Sequence, residues 1–123
     1  MADCMREALP GGPWICTFTG RSFFPLDPQV KDVCLEDVAH GLSNRCRFNG
    51  HVREFYSVCE HSVRVARLLQ SVRCARGEPV LEAAVVLAGL FHDGSEAYLP
   101  DVPRPVKVDP RFRETWQPIE DRV

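Results

Sequence analysis

A nearly uncharged apolar run in the second half of the chain most constrains how this sequence can fold. The residues from Val80 to Phe91 carry a single charge, at Glu82, and Pro79 stands just before them. Proline is tolerated in the first turn of a helix, and a helix that is apolar nearly all round has to be covered by other elements. The sequence therefore predicts a central buried helix over residues 79–93, packed among other helices.

The segment from 57 to 77 is the clearest amphipathic helix in the chain. Ser57 and Glu60 have the spacing of a capping box, and Gly77 suits a helix end. At 100° per residue, one face collects the apolar residues Val58, Val65, Leu68, Leu69 and Val72. His61 falls in the middle of this face, so the helix is expected to direct a histidine into the core.

The other elements are predicted to be shorter. Helical stretches are expected over residues 35–44, 95–99 and 110–123, and loops over residues 45–56 and 100–110. Pro118 is expected to kink or interrupt the last helix. The first 30 residues are rich in glycine, proline and aromatic residues, and they predict an irregular segment or a short β-hairpin around Thr17–Phe23. The fold class is therefore all-α, with helices packed around one core.

The length and composition predict a single domain without a polymeric partner. At 123 residues the chain is expected to form one domain, 1–123, in which the irregular segment 1–30 precedes a helical part, 31–123. A net charge of −2 indicates neither a nucleic-acid polymer nor a membrane as partner. No apolar run reaches the ~20 residues of a membrane span, and no signal peptide is visible. Six cysteines without a C-x-x-C pair favour reduced thiols in a cytoplasmic protein.

Three potential metal ligands are expected to meet between the two long helices. His61 lies on the inner face of one helix, and His92 and Asp93 end the apolar helix. Adjacent residues on a regular helix point about 100° apart, so a His-Asp pair chelates one ion best where the helix loosens, as Gly94 allows. Two imidazoles and a carboxylate favour Mn, Co, Fe, Ni or Zn over Mg or Ca. The alternative is that both histidines are buried core residues of a helical interaction module.

The stretch FHDGSEAYLPDVPRPVK, preceded by EHS on a helix, resembles the HD superfamily of metal-dependent phosphohydrolases. The similarity is greatest to the bacterial and phage 5'-deoxynucleotidase-like HD proteins, and it extends through TFTGRSFFPLDP, EDVAHGLSNRCRFNGH and FYSVCEHSV. The resemblance implies an HD-domain helical bundle that holds a divalent transition metal through His61, His92 and Asp93. It further implies hydrolysis of a nucleotide, a deoxynucleoside phosphate by preference, through attack of metal-bound water on the phosphate ester.

The resemblance also implies roles for further residues. Glu96 matches a glutamate that works beside the water, and Asp101 matches an aspartate near the phosphate and sugar. Arg47 is preferred over Arg45 as the arginine that contacts phosphate. Phe48 stands next to it, where an aromatic ring screens the sugar, and His51 shares the same loop and is a further candidate for phosphate contact. The alternatives are a solvated carboxylate for Glu96, a loop cap for Asp101, a surface position for Arg47 and a loop hydrogen bond for His51.

The sequence departs from the HD pattern at its C-terminal side. The family has a fourth ligand, an aspartate on a later helix, whereas this chain ends at Val123 and its later aspartates, Asp109 and Asp121, lie outside the expected motif. A C-terminally shortened bundle with three protein ligands is therefore expected. Such a bundle leaves apolar surface open, which favours low stability or a homo-oligomer. The alternative function is a weak or inactive truncated HD domain that binds metal or nucleotide without turnover.

Overall fold

The computed structural model describes residues 12–75 and 83–123, and for 72–75 it describes the backbone only. The strands are β1 (Ile15–Cys16) and β2 (Ser22–Phe23), and the helices are α1 (Leu35–Asn44), α2 (Val58–Ala75), α3 (Ala83–Leu90), α4 (Arg104–Lys107) and α5 (Pro110–Glu120). Short 3-10 turns lie at Val30–Asp32, Arg47–Gly50 and Gly94–Ala97. The described part is thus mostly helical with one small hairpin, as predicted. The side chain of Val72, the helix end at Gly77 and the helix start at Pro79 lie outside the described residues.

The hairpin of β1 and β2 is fastened to α1 by a buried carboxylate. The two strands pair antiparallel. From the turn between them, Thr19 donates its backbone N–H and its hydroxyl to the two oxygens of Asp37, at 2.7 and 2.8 Å. Burial alone raises the pKa of Asp37, but hydrogen bonds from Thr19 and Thr17 and the charge of Arg21 outweigh it, so the pKa lies below its ordinary value. The ionised carboxylate therefore holds the hairpin against the helix.

The core joins the hairpin to the helices. Val38 and Leu42 of α1 pack with Val58 of α2 in one buried cluster. Tyr98 packs against this cluster and stacks on the buried Phe23 of β2, with ring centroids 3.9 Å apart. Aromatic burial of this size is a large contribution to stability in a small domain. The segment that follows the His-Asp pair is thereby anchored in the same core as α1 and α2.

The start of α2 is confirmed, but its predicted apolar face is only partly covered. The backbone N–H of Glu60 donates to the hydroxyl of Ser57 at 3.0 Å, which is the expected N-cap. Leu68 is 60% exposed, whereas Leu69 faces Gly89 of α3 so closely that a Cβ at that glycine would collide with it. Leu69 therefore packs directly over Gly89, and a side chain there would require Leu69 to move.

The prediction that α3 is a central buried helix is wrong for the described residues. Val85 and Leu87 are 42% and 52% exposed, and Gly89 is the one buried residue of the helix. The reason is that α2 covers one side of α3 and no other described element packs extensively against it. The described part of the chain also contains no helix that is long and apolar enough to cross a membrane.

The proline-rich segment 100–110 is more ordered than expected, because it contains the short helix α4. Asp109 then caps α5 by accepting a hydrogen bond from the backbone N–H of Arg111 at 3.0 Å. Contrary to expectation, Pro118 does not interrupt α5, which continues to Glu120. The missing N–H of Pro118 removes one backbone hydrogen bond, and only two residues of α5 follow it.

A close approach at Gly41 sets the position of the turn Gly94–Ala97 against α1. A Cβ built at Gly41 would lie 2.9 Å from the backbone oxygen of Ala97. We expect Gly41→Ala to lower the free energy of unfolding, because forced overpacking costs about 1–3 kcal/mol and exceeds the ~1 kcal/mol by which alanine favours a helix over glycine. Urea denaturation measures this effect. Gly94→Ala, where a Cβ has 3.9 Å to its nearest neighbour, is the control, and a stabilised Gly41→Ala variant would contradict the contact.

Candidate metal centre

The loop before α2 is held closed by backbone pairing. Cys46 and Ser57 form an isolated antiparallel bridge, and the backbone N–H of Arg47 donates to the carbonyl of Tyr56 at 2.9 Å. The loop therefore returns to its starting point just as α2 begins. This brings the side chain of Arg47 next to His61, in the first turn of that helix.

The His-Asp pair lies where α3 has ended. The last residue of α3 is Leu90, and the N–H of Gly94 donates to the carbonyl of Phe91 at 2.8 Å in the turn that follows. Because the regular helix stops before His92, the side chains of His92 and Asp93 are not held about 100° apart. The helix loosens near the pair as the sequence predicted, but α3 ends at Leu90 and not at the predicted Asp93.

His61, His92 and Asp93 converge on one point. Their ligand atoms all lie within 4.8 Å of one another. The Oδ2 atom of Asp93 is 3.1 Å from Nε2 of His92 and 3.8 Å from Nε2 of His61. The side chains of His61 and His92 are 24% and 37% exposed, so the interpretation of two buried core histidines is wrong. The helix directs His61 to the edge of the core, where solvent reaches it.

Both imidazoles are prepared to act as ligands. Nδ1 of His92 lies 2.8 Å from the carbonyl of Gly89. A carbonyl only accepts hydrogen bonds, so Nδ1 is the donor in this contact, and Nε2 is the nitrogen that faces Oδ2 of Asp93. Burial, followed by the positive charge of Arg47, lowers the pKa of His61 below its ordinary value, although Asp93 opposes the shift. A neutral imidazole is the form that binds metal.

The donor set fits a first-row transition metal. Ligand bonds of 2.0–2.2 Å in tetrahedral or octahedral geometry separate neighbouring ligand atoms by about 3.0–3.5 Å. Of the two distances from Oδ2 of Asp93 to the imidazoles, 3.1 Å lies within this range and 3.8 Å lies a few tenths of an ångström beyond it. Three protein ligands leave at least one position for water or substrate, which is typical of catalytic rather than structural metal sites.

The three candidate ligands open into a cavity of about 860 Å³. Its wall includes the carboxylates Glu96 and Asp101 and the loop residues Arg47, Phe48 and His51. The structure thus brings together all the residues that the sequence proposed for the site. Three polar or charged lining residues were not proposed, namely Asn49, Arg104 and Lys107. Arg104 and Lys107 belong to the PRPVK part of the motif, and their place in that motif could have marked them as candidates from the sequence.

The structure distinguishes the two candidate arginines by their contacts. Arg45 donates to the backbone carbonyl of Leu99 at 2.5 Å, so it joins the start of the loop to the segment after the His-Asp pair. Arg47 instead donates to Oδ2 of Asp93 at 3.2 Å and lines the cavity. Its Nε is buried and has no hydrogen-bond partner in the described residues. Arg47 therefore lines the cavity and has one donor that the described residues leave unpaired.

Two residues of the cavity wall have an unusual backbone conformation. Phe48 and Asn49 have φ values of 55° and 53°, in the left-handed region. A bulky residue seldom adopts this conformation, and such strain concentrates at functional sites. The ring of Phe48 is 60% exposed, with the guanidinium of Arg47 5.0 Å from its centroid. The strained turn thus presents an aromatic face at the mouth of the cavity.

Glu96 is the most unusual titratable group of the site. Burial, followed by the charges of Asp93 and Asp101, raises its pKa to about 7, against the opposing charge of Lys107. The side chain is 6% exposed, and its Oε2 has no partner among the described residues. The interpretation of a solvated carboxylate is therefore wrong. A buried carboxyl that titrates near neutrality is suited to proton transfer.

The two later aspartates lie away from the cluster. Asp109 accepts hydrogen bonds from Arg111 at the start of α5, and Asp121 accepts one from Gln117 at 2.7 Å near its end. Within the described ranges, neither joins His61, His92 and Asp93 as a fourth ligand.

No family model matches the chain. The chain is similar to the uncharacterized protein YfdR of Escherichia coli K12, with 34% identity over 110 residues that cover 89% of this chain and 53% of YfdR. It is also similar to the uncharacterized protein RCAP_rcc00048 of Rhodobacter capsulatus, with 40% identity over 112 residues that cover 89% of this chain and 54% of that protein. The chain therefore spans about half the length of the curated relatives it matches.

Proposed function

We propose that the protein is a metal-dependent phosphohydrolase of the HD superfamily that acts on a nucleotide, with a deoxynucleoside phosphate as the favoured substrate. The observation that carries the proposal is the convergence of three kinds of group on one cavity. These are a His-His-Asp cluster, a buried carboxyl with its pKa near 7 and an arginine that lines the cavity. Hydrolysis of a phosphate ester by a metal-activated water has a use for each of the three.

The candidate ligands His61, His92 and Asp93 would hold one divalent transition metal. Such an ion lowers the pKa of a bound water and polarises a phosphoryl oxygen. The protein's own contribution is orientation, because the hydrogen bond from His92 to Gly89 fixes the ring that faces the cavity. The identity of the metal stays within the group Mn, Co, Fe, Ni and Zn.

Arg47 and Glu96 supply charge and a proton. The planar guanidinium of Arg47 is suited to two parallel hydrogen bonds with a phosphate group. Glu96 either takes a proton from the water or gives one to the leaving oxygen, and a pKa near 7 suits both tasks. Asp101 lines the same cavity and is the competing candidate for the proton.

The substrate is expected to enter past Phe48 and His51. Both are exposed, and both line the cavity on the side of the loop. The face of Phe48 offers apolar contact to a sugar or base, and His51 is the further candidate for contact with the phosphate. A volume of about 860 Å³ is within the range of small-molecule sites and accommodates a nucleotide.

Metal or nucleotide binding without turnover is the second candidate. It is favoured by the finding that the cluster has three protein ligands among the described residues and that Asp109 and Asp121 are engaged elsewhere. Fewer anionic ligands weaken metal affinity. This candidate predicts that metal binds and that no phosphate is released.

The test is phosphate release from a panel of deoxynucleoside and nucleoside mono- and triphosphates, with Mn²⁺, Co²⁺ or chelator. We expect release with a transition metal and background release with chelator, because the proposed nucleophile is a water molecule that a bound metal activates. Release that is equal in chelator would contradict the proposal. Metal binding by calorimetry without release from any member of the panel would establish the second candidate instead.

A further inference from the structure

Arg47 and the two histidines face the same oxygen atom. Oδ2 of Asp93 accepts from Nη1 of Arg47 at 3.2 Å and lies 3.1 Å from Nε2 of His92. It is also 3.8 Å from Nε2 of His61. The carboxylate oxygen that completes the candidate ligand set is thus already paired with a cation.

A divalent ion and Arg47 cannot both be close to that oxygen at low cost. The guanidinium is protonated at every ordinary pH, so its charge cannot be removed. Arg47 and Asp93 are each 20% exposed, and in such a partly buried site water screens charge less than it does on the surface. Two cations that share one carboxylate oxygen repel each other strongly under these conditions.

We propose that Arg47 is exchanged between Asp93 and the substrate's phosphate group, so that the metal and the phosphate bind cooperatively. This inference rests on the proposed metal site. When the metal takes the carboxylate, Arg47 is released beside the cavity, where its donors meet the phosphate. The phosphate's negative charge then offsets the repulsion between the guanidinium and the ion. By linkage, each ligand strengthens the binding of the other by the same factor.

The surroundings of Arg47 support an exchange over a short distance. The Nε of Arg47 is buried without a partner in the described residues, so the pair with Asp93 leaves part of its hydrogen-bonding capacity unused. The ring of Phe48 lies 5.0 Å from the guanidinium and provides a face along which it can stay in contact. The backbone hydrogen bond from Arg47 to Tyr56 keeps the residue itself in place.

The test is a calorimetric titration of Mn²⁺ into wild type and Arg47→Met, with and without inorganic phosphate. Without phosphate, we expect Arg47→Met to bind Mn²⁺ about 5- to 150-fold more tightly than wild type, the usual span of coupling between sites. In wild type, phosphate should strengthen Mn²⁺ binding, and in Arg47→Met this gain should fall by at least about fivefold. Arg53→Met removes the same charge from the same loop, and it should behave as wild type.

The outcomes separate this inference from the function on which it rests. Equal Mn²⁺ affinity in Arg47→Met and wild type would overturn the exchange and leave the metal site intact. The lack of Mn²⁺ binding in every variant would overturn the proposed function and the inference with it. Should Arg47→Met fail to fold by circular dichroism, the wild-type titration still decides, because the absence of any gain with phosphate overturns cooperativity.

Discussion

Replacing His92 with alanine is expected to lower metal-dependent phosphate release by more than about 100-fold. Mutation of a residue that only hydrogen-bonds to a metal ligand costs up to about 100-fold, and loss of a ligand itself should cost more. His92 offers Nε2 to the site while its Nδ1 is fixed on the carbonyl of Gly89. Its loss leaves two protein ligands of the three in the cluster. The measurement is the rate of phosphate release at saturating Mn²⁺, for wild type and variant, with the substrate that wild type prefers.

A matched histidine elsewhere serves as the control. His40 stacks on Phe18 at 3.7 Å between ring centroids, on α1 and outside the cavity wall. We expect His40→Ala to keep the wild-type requirement for metal. Asp93→Ala should reproduce the loss seen in His92→Ala. Phosphate release that persists in both ligand variants would exclude the cluster as the catalytic centre.

Calorimetry distinguishes loss of metal from loss of chemistry in the same variants. We expect His92→Ala to bind Mn²⁺ more weakly by at least about tenfold, since each ligand contributes to affinity. Unchanged affinity combined with lost activity would assign His92 to the reaction itself and not to the metal.

The sequence predicted the position of each candidate ligand along its own element, because local signals agreed with each other there. The capping residue Ser57 fixes the start of α2 and with it the position of His61. Gly94 marks the point at which α3 has already ended, so His92 and Asp93 can converge. These features depend on residues that are close together in the sequence, and pattern reasoning describes such features well.

The elements that pack against α3, and the burial of its residues, could not be predicted in the same way. An apolar run shows that a helix needs neighbours, but it does not show which elements supply them. In the described part of the chain α2 alone packs extensively on α3, so Val85 and Leu87 remain partly exposed. Burial is a property of the whole tertiary arrangement, which hydrophobic periodicity does not contain.

The choice between Arg45 and Arg47 also depended on tertiary structure. The bridge between Cys46 and Ser57 closes the loop, and the left-handed φ of Phe48 turns the chain at the cavity wall. The sequence does not indicate either feature. Phenylalanine seldom adopts the left-handed conformation, so nothing in the residue type predicts it at Phe48. The strain is visible only in the folded chain.

Glu96→Gln is expected to reduce phosphate release by about 100- to 10,000-fold, the usual contribution of a positioned acid or base. The amide has nearly the same shape but cannot exchange the proton. In wild type, the plot of rate against pH should contain a limb, a region where the rate changes as Glu96 titrates. The midpoint of this limb should lie at or below about 7, because the pKa of Glu96 is about 7 without metal and a bound divalent ion lowers it. That limb should vanish in the variant. The direction of the limb assigns the role of Glu96. Activity that is lost at higher pH indicates a general acid, and activity that is lost at lower pH indicates a general base.

Asp101→Asn provides the comparison, because Asp101 is the other carboxylate of the cavity wall that was proposed to carry the proton. If Glu96 carries the proton, Asp101→Asn keeps the limb and moves it to lower pH, because the charge of Asp101 contributes to the raised pKa of Glu96. A limb that survives in Glu96→Gln and disappears in Asp101→Asn would transfer the role to Asp101.

The stability of the metal-free protein gives an independent measure of the same carboxyl. The pKa of Glu96 is raised to about 7 in the folded state, so the folded protein holds this proton more strongly than the unfolded chain does. The free energy of unfolding should therefore decline as the pH rises from the ordinary value of a glutamate through 7, and it should level off above that. Glu96→Gln should lose this part of the pH dependence and become more stable than wild type above pH 7, because it no longer buries a charge. Urea midpoints at several pH values measure the difference, and parallel profiles for the two proteins would show that Glu96 titrates as it does in water.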